Sequence, residues 1–277
     1  MTVRIVTDSA CDLRGDEVAN LGIEVVPLSI RFGDDEYTDR EELTVDRFYQ
    51  LLASSDQLPE TAAPSPGRFA EAFQRQLDAG ASSIVCINIS AALSATMQSA
   101  VTAAETLDAD IRIVDSKSIT VGLGSIVLAA ARAAAGGAGT DEVVAIAESM
   151  SRRTHVFGAL DTLENLQKGG RIGGAQALLG SMLSIKPLID ISSGEVEEAG
   201  KQRTRKKSMV WLRDKLAEFG PIENLAIMHG EAPDIDQFIG LISEVADVSG
   251  ARTELIGPVV GTHGGPRVVG YAFTVPE

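Results

Sequence analysis

Four side chains able to hold or polarise a ligand stand in turn-forming stretches of this 277-residue chain: Thr61, Ser94, Arg171 and His263. Thr61 opens Thr61-Ala62-Ala63-Pro64-Ser65-Pro66-Gly67. Ser94 lies in Ser90-Ala91-Ala92-Leu93-Ser94-Ala95-Thr96, directly after the apolar run Ile84–Ile89. Arg171 follows Lys168-Gly169-Gly170, and His263 sits in Gly261-Thr262-His263-Gly264-Gly265-Pro266. Hydroxyls donate hydrogen bonds without adding charge. Arginine completes a carboxylate network. Histidine donates to a carboxylate and, as a cation, stabilises it further. A buried carboxylate is costly unless hydrogen-bonded, and two or three such donors offset that cost. The set therefore suits a small polar or anionic headgroup. It does not suit a metal, because no pair among His155, His229 and His263 has ligand spacing.

Each residue also has a plainer role. Ser94 can cap the helix that follows it, and Thr61 can close a turn. His263 can be an exposed loop histidine. Arg171 can be a helix-end cation or one half of an inter-domain ion pair. Ser90 and Thr96 read as supports of their turn, His155 and His229 as structural, and Asp8 as an organiser of backbone amides. Lys168-Gly169-Gly170-Arg171 is not a phosphate loop, because no Gly-Lys-Ser/Thr follows. An enzyme reading makes Ser94 the nucleophile and His263 the base of a hydrolase, but Ser94 lacks the Gly-x-Ser-x-Gly elbow. A third reading is a sugar- or phosphate-binding module. No catalytic residue, metal ligand or cofactor is assigned.

Composition narrows the classes. The net charge of −15 argues against nucleic-acid binding and against an electrostatic membrane anchor. Hydrophobic residues make up 44% and aromatics only 4%, so the core is built from Ala, Val, Ile and Leu. Cys11 and Cys86 make neither a disulfide framework nor a zinc site. Met1–Val6 leads straight into a strand without the apolar region of a signal peptide. Val121–Ala135 is short of a membrane span. A cytoplasmic protein without stable membrane insertion is the expectation.

These residues need a scaffold, and the chain supplies an α/β one. Val3–Val6, Ile23–Leu28, Ile84–Ile89 and Ile111–Val114 read as strands. They are interleaved with helices over Val45–Ala53, from Pro66 to Gly80, over Ser94–Leu107 and over Thr120–Ala135, which predicts a parallel sheet with flanking helices. Ser65 caps the second of these helices, with Pro66 at its first position. Asp34–Glu42 reads as an acidic exposed loop or hairpin. After Thr140–Arg152 the pattern changes. Strands at Val156–Leu160, Ile185–Ile191, Glu195–Ala199, Leu225–Met228, Arg252–Ile256 and Val268–Thr274 mix with helices at Thr162–Gln167, Ala175–Leu183, Arg205–Phe219 and Pro233–Val248. That grammar predicts a mixed sheet. The expected division is an N-terminal α/β domain over residues 1–139 and a C-terminal mixed α/β domain over residues 140–277.

Taken in order, the turns resemble those of the DegV family of bacterial fatty-acid-binding proteins. Thr7-Asp8-Ser9 resembles its opening motif, Thr61-Ala62-Ala63-Pro64-Ser65 its Thr-Ser-x-Pro-Ser motif, and Ser90 to Gln98 its Ser-x-x-Leu-Ser-Gly-Thr-x-Gln motif. Asp115-Ser116 with Gly122-Leu123-Gly124, Leu163–Ile189 and Gly261 to Pro266 complete the series. The resemblance implies a two-domain fold with a long-chain fatty acid buried between or within the domains. It implies that Thr61, Ser94, His263 and Arg171 bind the carboxylate, and that a separate fatty acid kinase phosphorylates it while this chain performs no catalysis of its own. Ala62, Ala95 and Arg267 depart from the family's serine and two glycines, which puts acyl selectivity and partner pairing in question more than the fold. Ala175–Leu183 and Ile185–Ile189 are candidate tunnel walls, with Ala177 and Gly180 giving room. Lys201-Gln202-Arg203-Thr204-Arg205-Lys206-Lys207, basic at five of seven positions, could dock an acidic kinase surface; its plainer reading is a solvated helix start.

Overall fold

A computed structural model of the protein describes residues 2–178 and 185–277. In chain order the first half contains β1 (Val3–Asp8), α1 (Gly15–Leu21), β2 (Glu24–Val26), β3 (Ser29–Phe32), β4 (Asp35–Thr38), α2 (Val45–Ser54), β5 (Glu60–Ala62), α3 (Pro66–Asp78), β6 (Ser83–Asn88), α4 (Thr96–Ala104), β7 (Ile111–Asp115), α5 (Thr120–Ala135) and α6 (Thr140–Arg153). The second half contains β8 (Thr154–Ala159), α7 (Glu164–Lys168), β9 (Lys186–Asp190), β10 (Glu197–Gln202), α8 (Arg205–Ala217), β11 (Glu223–His229), α9 (Ile235–Ser243), β12 (Arg252–Leu255), α10 (Pro258–Gly264) and β13 (Val269–Thr274).

Among the described residues three sheets form. The first has the order β2-β1-β6-β7 and is parallel throughout, as buried apolar strands joined by helices require. The second runs β10-β9-β8-β13-β11-β12; only β11 and β12 pair in parallel. The third, β4-β3-β5, is a small antiparallel sheet. The expected continuous strand Ile23–Leu28 is therefore replaced by β2 alone, and the chain turns at Pro27-Leu28 into a separate hairpin. That hairpin reverses at Asp34 after Gly33, whose φ of +60° favours glycine.

Helix α5 is the central layer. It packs on β1 and α6 on one side and on β11, β13 and β8 on the other, and most of its residues are buried. Two glycines permit this. A Cβ on Gly122 would collide with Ser118 and Val156, and one on Gly124 would meet the Cys11 carbonyl. Helix α6 lies against α5, β6 and β7. The chain thus stays beside the parallel sheet through Arg153 and enters the mixed sheet at Thr154. No helix among the described residues is long and apolar enough to cross a membrane.

Several segments differ from the sequence-based expectation. The stretch Thr61–Pro64 begins as strand β5, paired with β3, rather than as a turn. Gly261–Gly264 belongs to helix α10, and the turn falls at Pro266-Arg267. Gly173–Leu178 forms a short 3-10 helix in place of the start of an apolar α-helix; the remainder of the expected helix Ala175–Leu183, Gly180 included, lies outside the described residues. The basic cluster is divided. Lys201 ends in strand β10, and Arg205 is drawn inward, its Nε 2.6 Å from Asp234 Oδ2 and its Nη1 3.6 Å from Asp161 Oδ1. Arg203, Lys206 and Lys207 remain exposed.

Candidate functional site

The four predicted residues come from four separate elements and meet at one cavity. Thr61 is set by the β3–β5 ladder, where it pairs with Ile30. Ser94 is set by the loop after β6. There the Ser90 hydroxyl donates to the Gly194 carbonyl at 2.6 Å, while the Leu93 and Ser94 amides both donate to the Ser90 carbonyl. Arg171 follows Gly170, whose φ of +70° turns the chain out of α7. His263 projects from α10.

The contacts among them are specific. Thr61 Oγ1 lies 2.9 Å from His263 Nε2. Arg171 Nε donates to the Leu93 carbonyl at 3.2 Å and Nη1 to the Gly169 carbonyl at 2.7 Å. The guanidinium thereby ties the Ser94 loop to the turn after α7. Ser94 Oγ bonds Thr96 Oγ1 at 2.8 Å and accepts from the Thr96 amide at 3.3 Å. It therefore supports the start of α4, whose N-cap residue Ala95 has no side chain for the task, and it lines the cavity as well. Gly169 lies under the His263 ring, where a Cβ would clash with the imidazole and approach the Asn165 carbonyl. The Asn165 side chain in turn donates to the Thr262 carbonyl at 3.0 Å, clamping α10 against α7.

Electrostatics set the protonation of this group. Burial, and then the Arg171 charge, push the His263 imidazole down to about 4, so the ring is neutral near neutral pH. The cationic histidine anticipated from sequence is not the resting state of the site. His263 Nδ1 is buried and makes no hydrogen bond. A hydrolytic base needs a third group to orient it and a serine within reach. Here the imidazole pairs with Thr61, and Ser94 pairs with Thr96.

Beyond this polar end the cavity is apolar. Its walls come from both large sheets and their connections: Leu28, Ile89, Leu93 and Ile119 from the first half, and Leu160, Leu166, Ile189, Ile191, Val196, Met228, Ile256, Val259, Val260 and Val268 from the second. Among the described residues of the anticipated tunnel segments only Ile189 lines it; Ala175 and Leu178 are buried in the core instead. The remaining wall residues were missed. Each reads as an ordinary core residue, and only the packing of the two sheets brings them together. Thr120 also lines the cavity.

Asp8 lies outside the cavity. It accepts from the Ile89 amide at 2.8 Å, the Ala10 amide at 3.1 Å and the Asn88 side chain at 3.1 Å. Burial raises its pKa to about 6 against the lowering effect of these bonds. His155 stacks on Phe273, and His229 accepts the Ala232 amide at Nδ1. Among the described residues no group of His, Cys, Asp and Glu is arranged to hold a metal ion.

Comparison with known proteins agrees with this architecture. The family profile described as "Uncharacterised protein, DegV family" matches residues 2–275. A DegV domain-containing protein of Streptomyces coelicolor is 36% identical over 276 residues, covering 98% of each chain. A solved DegV family protein from Thermus thermophilus, described by its fatty acid binding, is 32% identical with a TM-score of 0.92, covering 100% of both chains. A solved protein of the same family from Ruminococcus gnavus, described with vaccenic acid, is 25% identical with a TM-score of 0.86, covering 98% of this chain and 99% of the other.

Proposed function

Because the chain belongs to the DegV family, we propose that it binds one long-chain fatty acid in this cavity and presents the carboxylate to a separate kinase. The observation that carries the reading is the segregation of the cavity lining. Among the described residues Thr61, Ser94, Arg171 and His263 share one cavity with fourteen aliphatic and methionine side chains. The apolar lining suits an acyl chain. Each buried methylene contributes about 0.8 kcal/mol, so a chain of about fifteen supplies roughly 10 kcal/mol before ordering costs.

The carboxylate meets donors already in place. With the neutral imidazole protonated at Nε2, His263 donates to Thr61 Oγ1, which frees the Thr61 hydroxyl proton for the ligand. Ser94 supplies a second hydroxyl. Arg171 contributes fixed positive charge, its guanidinium already oriented by the Leu93 and Gly169 carbonyls, so little side-chain entropy is lost on binding. The carboxylate also relieves the charge that Arg171 imposes on His263.

The role is that of a carrier. A kinase would deliver a phosphoryl group to a carboxylate oxygen, while this chain holds that oxygen still and keeps the hydrocarbon out of water. A division into two domains belongs to the same proposal, with the boundary expected after residue 139 moved to follow α6, because that helix packs on β6 and β7 of the first sheet; the lipid is held between the two.

The test is mass spectrometry of solvent-extracted, freshly purified protein, followed by incubation with ATP and magnesium. A stoichiometric long-chain fatty acid and no acyl phosphate are expected; adding a cognate kinase should then yield acyl phosphate. Acyl phosphate made by the isolated chain would overturn the carrier role. An empty protein that also fails to bind added fatty acid would overturn the lipid reading.

A further inference from the structure

Asp8 is a fully buried carboxylate outside the cavity lining, yet two supports of the cavity begin at it. It ends β1, which pairs in parallel with β6, so that Thr7 faces Ile87 and Asp8 comes beside Asn88. Three donors converge on it. Oδ2 accepts from the Ile89 amide at 2.8 Å and from the Asn88 side chain at 3.1 Å, and Oδ1 accepts from the Ala10 amide at 3.1 Å. Burial raises its pKa to about 6, so at neutral pH it is ionised and accepts all three.

The two oxygens serve two branches of the fold. From Oδ2 the path is short. Ile89 lines the cavity, and the next residue, Ser90, accepts the Leu93 and Ser94 amides on its carbonyl. The Leu93 carbonyl in turn receives Arg171 Nε at 3.2 Å. Holding Ile89 therefore places Ser94 and Arg171. From Oδ1 the path runs through the 3-10 turn Ser9–Cys11, which Asp8 caps. The Ser9 hydroxyl accepts the Leu28 amide at 3.1 Å. Leu28 lines the cavity and leads into β3, where Ile30 pairs with Thr61, and Thr61 Oγ1 meets His263 Nε2 at 2.9 Å. The four headgroup residues thus depend on one carboxylate, two through each oxygen.

We propose that Asp8 is a positioning residue for the headgroup site: its oxygens hold the loop after β6 and the β3–β5 ladder at the separation from which Ser94, Arg171, Thr61 and His263 reach one ligand carboxylate. The inference rests on the fatty-acid reading above and adds to it the residue that sets the spacing of the donors. Only an ionised carboxylate suits the position. An amide has one acceptor oxygen and turns an NH₂ group toward a donor, so asparagine at position 8 satisfies one branch and leaves the other unpaired.

The experiment is isothermal titration of the delipidated whole protein, wild type and Asp8→Asn, with palmitate and with methyl palmitate. Displaced donors cost the charged acid more than the ester, whereas a general loosening of the fold costs both alike. Asp8→Asn should raise the Kd for palmitate about tenfold or more and that for methyl palmitate about threefold or less. Equal losses for the two ligands, or no loss for either, would overturn the positioning role. A wild type that binds neither ligand would overturn the fatty-acid reading, and the positioning role with it. Ser9→Ala serves should Asp8→Asn fail to fold, because it cuts only the Oδ1 branch. It should weaken palmitate binding about threefold or more in the wild type and leave it unchanged in Thr61→Val, the residue through which that branch acts. The same loss in both backgrounds would overturn the proposal.

Discussion

Replacing Thr61 with valine tests the headgroup assignment most directly. Valine keeps the shape of threonine and removes only the hydroxyl. In the unliganded protein the change leaves His263 Nε2 without the partner now 2.9 Å away, in a ring whose Nδ1 already makes no hydrogen bond. An unpaired buried polar group costs about 1–3 kcal/mol, and in a chain near this size each kcal/mol lowers Tm by about 2–4 °C. In the complex the carboxylate also loses one hydroxyl donor. A hydrogen bond to a charged group is worth about 1.5–3 kcal/mol, so the Kd for palmitate should rise about 10- to 150-fold. Methyl palmitate has the same chain but no charge, and its bond to the hydroxyl is worth about 0.5–1.5 kcal/mol, so its Kd should rise only about 2- to 10-fold. Isothermal titration of delipidated protein with both ligands separates the cases. Equal losses for acid and ester would refute the assignment. Unchanged affinity with a lowered Tm would leave Thr61 as a prop for His263 alone.

Three further outcomes follow from the same geometry. Because the folded-state pKa of His263 is about 4 against an ordinary 6.5, the unfolded chain binds the extra proton between those values. The stability linked to neutral His263 is therefore fully present above about pH 6.5 and lost as pH falls through about 4, at most about 3 kcal/mol. Urea unfolding of the wild type and His263→Gln at about pH 7 and pH 4 should show their difference shrink by that amount; the raised carboxyls of Asp8 and Asp39 act in the opposite direction but equally in both proteins. Gly169→Ala places a methyl group against the His263 ring, and titration with palmitate should show at least a tenfold loss of affinity; an unchanged Kd would mean that α10 moves freely from α7. Glutamates at Arg203, Lys206 and Lys207 should raise the KM of a cognate kinase for the lipid-loaded protein without altering lipid affinity, provided that Arg205, committed to Asp234 and Asp161, is left in place.

The parallel sheet was legible because its strands are short, apolar and closed by helix signals within the same stretch of chain. Ser65 illustrates this: its hydroxyl accepts the Arg68 amide, with Pro66 at the first helical position, and all of that information is local. The small third sheet was not legible. β5 has only three residues, two of them exposed, and no internal alternation announces a strand. Its existence depends on the β3–β4 hairpin, which provides the edge to which it pairs. α10 was hidden for a different reason. Its sequence Pro258-Val259-Val260-Gly261-Thr262-His263-Gly264 combines β-branched residues with glycine, both poor helix formers. It is helical because Asn165 holds the Thr262 carbonyl and because Gly261 permits close contact with Phe48 and Tyr49.

The same contrast explains the cavity. Its polar residues could be anticipated from their side-chain types and from the resemblance of the motifs that hold them, although Ser94 also has a local use at the start of α4 and Thr61 stands in β5 rather than in a turn. Its apolar walls could not, because a valine facing a ligand and a valine facing another valine obey the same preference for leaving water. Met228 on β11 and Ile89 after β6 share the cavity, yet they are separated by half of the chain and become neighbours only when two sheets close over α5. That closure also dictates the protonation of His263. The ring is neutral because the fold buries it beside Arg171, and neither the burial nor the neighbour is present in the residues flanking position 263. The chemistry of the site is therefore distributed: donor identities are local, whereas donor strength is a property of the assembled fold. A bound carboxylate would change that strength again. By offsetting the Arg171 charge it would raise the imidazole's proton affinity, so that acid binding and protonation of His263 reinforce one another as pH falls, until the fatty acid itself is protonated.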